Sequence, residues 1–284
     1  MRWHTNVIAM LLLLGCKPVA EGEPVARVAI DGEETRTTSQ NRGAAETPYP
    51  EIASAMESAC RSVIFEDTSL THCVATPERH RISMRLARTN GEKYRSLTAL
   101  SRSIGSSEVA FAMNGGMYEA DGDPVGYYVE RSERLGALNT NAGPGNFHLK
   151  PNGVFYGTGG EWVVRSTESF LSNVSDRPEF GTQSGPMLVV DGKLHPEITR
   201  DGPSRLVRNG VGVDEDGQAH FVISNAPLSF GKLARFYRDQ LKTPNALFLD
   251  GNVSALWNPA TDRLDTGAPL GPLIVVRKRA TPSE

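Results

Sequence analysis

The chain has 284 residues, of which 39% are hydrophobic and 22% are charged, with a formal net charge of −3 and a pI of about 6.1. This balance excludes the basic field of a nucleic-acid-binding protein, and no run rich in Lys and Arg is present. Beyond the N-terminal segment, roughly 235 residues remain, which is enough for one large domain or two small ones.

The first 16 residues have the layout of a secretory signal, with Arg2 ahead of a short apolar run at residues 7–14. This run is far shorter than the ~20 residues of a membrane-spanning helix. Residues 13–16 (LLGC) resemble the bacterial lipobox, in which the cysteine is lipidated and the chain is cleaved before it. The resemblance implies a lipoprotein signal peptide over residues 1–15 and lipid on Cys16. An ordinary signal peptide with a chance cysteine is the alternative.

Lys17 stands where the inner-membrane retention signal of such lipoproteins usually has Asp, so the resemblance implies the outer membrane. Residues 17–48 are rich in Glu, Pro, Gly, Thr, Ser and Arg, and cannot bury enough apolar surface to offset the entropy of ordering. We therefore expect a lipid-anchored flexible tether over residues 16–48 and a folded domain over residues 49–284. The expected location is the cell envelope, facing the periplasm.

Short apolar or alternating runs, which are typical of strands, dominate the rest of the chain. They lie at residues 62–66, 72–76, 81–87, 109–114, 153–156, 162–165, 187–190, 210–213, 220–224, 246–249 and 273–276. Helical patterns cover residues 94–104, 166–173 and 229–241, the last with Ser229 as its N-cap. The mixture predicts an α+β fold: a single domain with a mixed β-sheet core of many short strands and a few flanking helices.

With Cys16 assigned to lipid, Cys60 and Cys73 remain as a pair in an oxidising compartment. A disulfide between them would close a short loop and contribute about 3 kcal/mol. Two separate buried thiols are the alternative. The pair lacks Cys-x-x-Cys spacing, and no two histidines have the spacing of metal ligands, so these residues predict no metal site.

Four segments end an apolar strand in small and polar residues. They are residues 111–118 (FAMNGGMY) with the acidic loop 119–124 (EADGDP), 182–189 (TQSGPMLV), 206–213 (LVRNGVGV) and 246–254 (ALFLDGNVS). Such strand ends deliver side chains and backbone N–H groups to one sheet edge, which suits an anionic ligand. Each segment alone is more often an ordinary turn, so the prediction depends on their occurrence together.

In this order, the pieces MNGGMY, TQSGPMLVVDGKLHP, RNGVGVD and LFLDGNVSALW resemble the phosphodiester glycosidase family, over residues 109–276. GNFHLKPNGVFY, at residues 145–156, is shared with an exported bacterial branch of that family. The resemblance implies an envelope hydrolase that cleaves a sugar-1-phosphodiester between the anomeric carbon and a phosphate oxygen. The family usually has Gly or Ser after Asp250 and Gly251, whereas Asn252 here would narrow the pocket or bind the ligand.

The chemistry of this reaction suggests which residues act. The leaving phosphomonoester has a second pKa near 6, so it needs less protonation than the leaving group of an ordinary glycosidase. Cations and N–H donors on the departing phosphate therefore matter more than a general acid. Arg208 is the predicted phosphate clamp, because its fork matches two phosphate oxygens, and Lys150 is a second candidate. Asp250 is the predicted catalytic carboxylate, with Glu119 or Asp123 as alternatives.

Other residues of these segments would bind substrate through polar side chains or through close backbone approach at glycine. They are Asn114, Gly115, Gly116, Tyr118, Gln183, Ser184, Gly185, Gly251, Asn252 and Ser254. Structural roles remain open: Arg208 could pair with Asp214 or Glu215, Asp250 could cap a turn, and Lys150 could be a solvated loop residue. Tyr118, Phe147 and Trp257 could stack on a sugar ring, with core packing as the favoured alternative, and structural roles are expected for His148, His195 and His220.

Two other functions fit the same residues. One is a non-catalytic envelope module that binds a phosphorylated glycan. The other is a phosphodiesterase that cuts the P–O bond, which ordinarily requires clustered metal ligands. The sequence predicts no cofactor, although Asp121, Asp123 and Asp250 could hold one Ca²⁺ or Mg²⁺. The expected partner in every case is a phosphorylated glycan or sugar phosphodiester, with the membrane reached through lipid on Cys16.

Overall fold

The computed structural model describes residues 58–279. The predicted signal peptide, the predicted lipidation site at Cys16 and the predicted tether over residues 16–48 lie outside the described residues. Within residues 58–279 the chain forms many short strands and a few short helices, which confirms the predicted α+β class.

Seventeen strands lie within the described residues. The first nine are β1 (Cys60–Phe65), β2 (Thr68–Ala75), β3 (His80–Arg85), β4 (Val109–Asn114), β5 (Tyr128–Glu130), β6 (Glu133–Gly136), β7 (Gly153–Thr158), β8 (Glu161–Ser166) and β9 (Phe180–Ser184). The others are β10 (Met187–Val190), β11 (Lys193–Leu194), β12 (Asn209–Val213), β13 (Ala219–Ser224), β14 (Asn245–Phe248), β15 (Leu256–Asn258), β16 (Arg263–Leu264) and β17 (Leu273–Lys278).

The strands form three sheets. The first has the order β1-β2-β13-β12-β14-β10-β11, the second β16-β15-β4-β17-β3 and the third β6-β5-β9-β7-β8. Every pairing between these described strands is antiparallel, so the expected mixed core is resolved into three antiparallel sheets. Antiparallel pairing suits this chain because short loops can join successive strands without a crossover helix.

An aromatic contact joins the three sheets in the core. Phe111 of β4, Phe155 of β7 and Phe221 of β13 are all fully buried. The ring of Phe221 lies edge-on to the other two, with centroid distances of 5.3 Å to Phe111 and 5.7 Å to Phe155. Each such pair adds about 0.5–1.5 kcal/mol beyond the burial of its area. The meeting point of the sheets is therefore also the centre of the hydrophobic core.

The three α-helices are short and each begins at a serine cap. They are α1 (Leu97–Ser101), α2 (Thr167–Asn173) and α3 (Phe230–Arg235), the last continued by a π-helical turn at Phe236–Gln240. As predicted, the Ser229 hydroxyl accepts the Lys232 N–H at 3.2 Å. The first helix starts later than predicted because Arg95 has a positive φ of 56°. No helix of residues 58–279 is long and apolar enough to cross a membrane.

Cys60 and Cys73 are joined by a disulfide across the β1–β2 hairpin. They are directly opposite each other in the antiparallel register of this hairpin. The predicted bond is thereby confirmed and the alternative of two separate thiols is wrong.

We predict that the disulfide stabilises the protein. The unreduced Cys16→Ser variant should release no free thiol on unfolding, because the two remaining cysteines are paired. Reduction should lower the free energy of unfolding by about 3 kcal/mol, the chain-entropy estimate for a loop of this size, as measured by urea denaturation. Reduction should not affect a Cys16→Ser/Cys60→Ser/Cys73→Ser control. Two free thiols in the unreduced protein would contradict the prediction.

Candidate active site

A cleft of about 450 Å³ lies among segments that follow β4 and β14 and precede β7 and β12. Three of the four segments predicted to meet contribute lining residues here, namely 111–118, 206–213 and 246–254, whereas residues 182–189 contribute none. Five of the predicted site residues line the cleft: Tyr118, Glu119, Arg208, Asp250 and Gly251.

Arg208 forms one wall of the cleft and is fully buried. Its Nε donates to the Leu228 carbonyl at 3.1 Å, and its Nη2 donates to the Ser204 carbonyl and hydroxyl at 3.2 and 2.9 Å. The guanidinium carbon lies 3.6 Å from the centroid of the Phe230 ring and 5.5 Å from that of Phe248. Carbonyls and aromatic faces therefore hold the cation in one orientation.

The charge of Arg208 is not neutralised by any carboxylate of residues 58–279, and its buried Nη1 has no hydrogen-bond partner. Burial lowers the pKa of Arg208 from its usual range to about 10, so the group stays charged at neutral pH. The alternative pairing with Asp214 is wrong, because that carboxylate binds His220 at 2.9 Å. A buried cation and an unsatisfied donor beside a cleft favour an anionic ligand.

The expected two-point grip of Arg208 on phosphate needs correction. Ser204 and Leu228 already occupy Nη2 and Nε, so Nη1 is the nitrogen left for a ligand. A phosphate oxygen would receive one direct hydrogen bond from Nη1 and the attraction of the whole charge.

Asp250 lines the cleft, half-buried, and three polar side chains hold its backbone. Asn209 Oδ1 accepts the Asp250 N–H at 3.2 Å, and Asn114 Nδ2 donates to the Asp250 carbonyl at 3.2 Å. The Ser254 hydroxyl lies 3.1 Å from the same carbonyl. Asn209 Nδ2 also donates to Asn114 Oδ1 at 2.8 Å, so the two amides form one unit. This unit fixes where the carboxylate of Asp250 enters the cleft.

Two predicted ligand-binding side chains lie behind the cleft instead of lining it. Gln183 is buried, accepts the N–H groups of Tyr127 and Asn139, and donates to the Asn139 carbonyl and to Thr167 Oγ1. All its hydrogen-bonding capacity is therefore occupied. Ser184 is fully buried and donates to the Leu249 carbonyl, next to Asp250. Gln183 and Ser184 therefore support the site from behind, which corrects the prediction that they contact substrate. Asn114 and Ser254 likewise do not line this cleft.

The predicted glycines mainly permit close packing of strand ends. A Cβ on Gly116 would lie 2.1 Å from the Gln183 carbonyl oxygen, and one on Gly185 would lie 2.7 Å from the Phe147 carbonyl oxygen. A Cβ on Gly115 would meet the Pro272 carbonyl oxygen at 3.2 Å. These three therefore serve the approach of neighbouring backbones, which corrects their predicted role beside a ligand. Gly251 does line the cleft.

The acidic loop after β4 contributes one carboxylate to the cleft. Glu119 is exposed and lines it. Asp123 does not, because Lys93 Nζ binds its carboxylate at 2.8 Å on the surface. The expected catalytic alternative at Asp123 is thereby corrected.

Two other predictions are settled by position. Lys150 lies outside the cleft, and its Nζ donates to the Thr140 carbonyl at 2.8 Å, so the expected second phosphate contact at this residue is corrected. Within residues 58–279 no three His, Cys, Asp or Glu side chains are grouped to hold a metal ion, so Asp121, Asp123 and Asp250 form no such set. The side chain of Asn252 lies outside the description; its backbone is part of the turn Gly251–Val253.

Tyr118 lies close to the carboxylate of Asp250. Burial raises the pKa of Tyr118, and the negative charge of Asp250 raises it further. The Tyr118 hydroxyl donates to the Pro269 carbonyl. The guanidinium carbon of Arg95 lies over the Tyr118 ring, 5.5 Å from its centroid. A Cβ on Gly271 would fall 2.2 Å from the Tyr118 ring, so the glycine makes room for it. The phenol is thus fixed and protonated beside Asp250.

The structure adds three residues to the predicted site. Phe147 and His148 line the cleft from the loop before β7, and Asn209 supports Asp250 from below. The Asn141 carbonyl is 3.1 Å from His148 Nδ1, so a neutral His148 carries its proton there and its Nε2 can accept. All three lie inside the segments that carry the family resemblance. Membership in those segments was the signal by which the sequence could have indicated them.

Comparisons with known proteins agree with this geometry. Residues 107–276 match the family model described as phosphodiester glycosidase. The protein YigE of Escherichia coli (strain K12) is 36% identical over 182 residues, which are 64% of this chain and 71% of YigE. A solved structure with a similar fold is the catalytic domain of zebrafish N-acetylglucosamine-1-phosphodiester alpha-N-acetylglucosaminidase, auto-inhibited by its pro-peptide. The two structures superpose with a TM-score of 0.54 at 12% sequence identity, and the match covers 78% of this chain and 82% of the zebrafish chain. That level of identity shows a shared fold.

We predict that Asn209→Ala destabilises the domain by about 1–3 kcal/mol, because it removes the acceptor of the buried Asp250 N–H and the donor to Asn114. Urea denaturation measures the change. The matched control is Asn141→Ala, at an exposed position whose side chain makes no hydrogen bond to the described residues. Equal stability of the two variants would contradict the supporting role of Asn209.

Proposed function

Because this chain belongs to the phosphodiester glycosidase family, we propose that it hydrolyses a sugar-1-phosphodiester between the anomeric carbon and a phosphate oxygen. Membership places it among hydrolases of sugar phosphodiesters in general, as the sequence resemblance implied. The more specific proposal concerns the cleft at Arg208 and Asp250, which would take a sugar with an anionic phosphate bridge and release the free sugar.

The observation that carries the proposal is the unpaired guanidinium of Arg208. A phosphodiester is an anion, and its leaving phosphomonoester gains a second negative charge as the bond breaks. Nη1 of Arg208 is buried and has no partner among the described residues, and Arg208 lines the cleft. A fixed cation in a poorly hydrated place stabilises charge that develops in the transition state.

A carboxylate serves the anomeric carbon, either as the nucleophile or as the base that activates the attacking water. Asp250 is the better candidate, because the amides of Asn114 and Asn209 hold its backbone, whereas Glu119 is exposed on a loop. Glu119 would deprotonate the attacking water or stabilise the sugar cation. A separation of about 5–5.5 Å between the two carboxylates would favour retention, and about 6.5–9.5 Å inversion. NMR of the first anomer released distinguishes these outcomes.

The activity is tested by incubating the protein with a panel of sugar-1-phosphodiesters. Release of a free reducing sugar is expected. Release of sugar phosphate would instead indicate cleavage of the P–O bond, and binding without turnover would indicate a glycan-binding module. Either result would overturn the proposed reaction.

We predict that Arg208→Ala lowers kcat about 10²–10³-fold, the scale for one lost stabiliser of negative charge. Arg208→Lys should recover part of this, because an ammonium keeps the charge but cannot bind Ser204 and Leu228 while it stacks on Phe230. The matched control, Arg205→Ala, removes an exposed arginine three residues away and should leave kcat unchanged. Steady-state kinetics on the best phosphodiester of the panel measures all three.

We predict that Asp250→Asn loses more activity than Arg208→Ala while substrate still binds, because no other group would attack the anomeric carbon. A nitrophenyl glycoside, whose leaving group needs no cation, should partly restore the Arg208→Ala enzyme and should not restore Asp250→Asn. Equal rescue of both variants would contradict the separate roles.

For the location of the protein, we propose an outer-membrane lipoprotein that faces the periplasm. The support is the apolar run at residues 7–14, the Gly15 and Cys16 directly after it, and the Lys17 that follows. Wild-type protein should fractionate with membranes and incorporate a fatty-acid probe. Cys16→Ser should do neither, and retention of both properties by this variant would end the proposal.

A further inference from the structure

A second cleft of about 520 Å³ lies on the first sheet and shares no lining residue with the cleft at Asp250. It involves β1, β2 and β13 at the far end of the sheet. In the register of β12 and β13, Asn209 faces Ile223, whereas His220 lies three residues further along. At about 3.3 Å per residue this is roughly 10 Å along the strand. The second cleft is therefore a separate place on the molecule.

Three side chains form a hydrogen-bonded relay that reaches this cleft: His72 and His220 line the cleft, and Asp214 lies behind them outside its lining. Asp214 Oδ2 lies 2.9 Å from His220 Nε2, and His220 Nδ1 lies 3.0 Å from His72 Nε2. Asp214 Oδ1 accepts the Gln218 N–H at 2.8 Å, which fixes the orientation of the carboxylate. An ionised carboxylate can only accept, so His220 carries its proton on Nε2 and His72 carries its proton on Nε2. His72 Nδ1 is left as an acceptor.

His72 Nδ1 is buried and has no hydrogen-bond partner among residues 58–279. The residue is 2% exposed, and burial, His220 and Arg61 lower the pKa of His72 to about 3. The ring is therefore neutral at physiological pH and its unpaired nitrogen needs a donor. A second atom at the same cleft, Thr76 Oγ1, is also buried without a partner. Buried polar atoms are normally satisfied, so two in one cleft indicate an occupant.

The other groups of the cleft describe that occupant. Arg61 and Arg79 are exposed at its edge, and neither pairs with a carboxylate of the described residues. His80 Nδ1 accepts the Thr76 N–H at 3.0 Å, so a neutral His80 offers an Nε2–H donor. The cleft thus presents two cations, Arg61 and Arg79, and the acceptor His72 Nδ1, while Thr76 and His80 can bind hydroxyl groups. Its described lining contains no acidic side chain.

We propose that this cleft binds a hydroxylated anion of about disaccharide size, such as a phosphorylated or carboxylated sugar. One ligand hydroxyl donates to His72 Nδ1, while Arg61 and Arg79 hold the anionic group. Residues 72 and 76 are about 13 Å apart along an extended strand, which a disaccharide spans better than a single sugar. A cleft of 520 Å³ is within the usual range for small ligands. This proposal is independent of the reaction proposed for Asp250.

The proposal is tested by calorimetry on the full chain with trehalose 6-phosphate, lactobionate, trehalose and inorganic phosphate. The two hydroxylated anions, or one of them, should bind better than trehalose and phosphate. Arg61→Gln and Arg79→Gln should each weaken that binding about tenfold, since each removes a charge-assisted contact. The matched control Arg134→Gln, at an exposed position in the third sheet, should leave it unchanged. Neither arginine variant should alter turnover in the first cleft. Absence of binding, equal binding of phosphate, or equal affinity of all variants would overturn the proposal.

The role of the relay has its own readout in ¹⁵N NMR of the histidine rings. In the wild type, His72 should be protonated on Nε2, and the ligand should shift its Nδ1 signal. In Asp214→Asn the amide oxygen keeps the Gln218 N–H, so its NH₂ faces His220 Nε2. The relay then reverses and the His72 proton moves to Nδ1, which should weaken ligand binding about tenfold. An unchanged His72 tautomer, or unshifted histidine signals at saturating ligand, would contradict the assignment. Thermal melting confirms that each variant is folded.

Discussion

The hydrogen-bonded pair of Asn114 and Asn209 is the constraint on which the candidate active site depends. Asn114 ends β4 in the second sheet and Asn209 begins β12 in the first, and both are buried. Between them they satisfy the backbone N–H and carbonyl of Asp250. Buried amides that leave no group unpaired rigidify their surroundings. The position of the Asp250 carboxylate is therefore set by the packing of two sheets and not by its own short loop.

Arg208 shows the opposite balance between stability and function. Its neighbour Asn209 has every polar group in use, whereas Arg208 keeps one nitrogen unsatisfied and its charge unpaired by any described carboxylate. Phe230 and the Ser204 carbonyl reduce the penalty, but neither supplies negative charge. Such a group is costly in the empty protein and becomes favourable when an anion enters. The same logic of unsatisfied buried atoms applies to His72 and Thr76 in the second cleft.

Local sequence pattern predicted most of the strands because their apolar residues alternate or form short continuous runs. β4 and β10 have the predicted bounds, and the capped helix at Ser229 was also predictable. The pattern did not indicate β5 or β16, which are only three and two residues long. β9, with the sequence FGTQS, is polar yet buried throughout. Its burial comes from pairing with β5 and β7, which local periodicity does not contain.

The sequence by itself determined the family resemblance, the cysteine pair and the set of polar residues that belong to the site. Only the tertiary structure decided which of these residues line the cleft and which support it from outside. Arg208 and Asp250 line the cleft, Gln183 and Ser184 support it from behind, and Lys150 lies elsewhere. The physical reason is that a side chain's role depends on which distant backbone its hydrogen bonds reach. Those contacts form between strands of different sheets, and no local pattern of residue types encodes them.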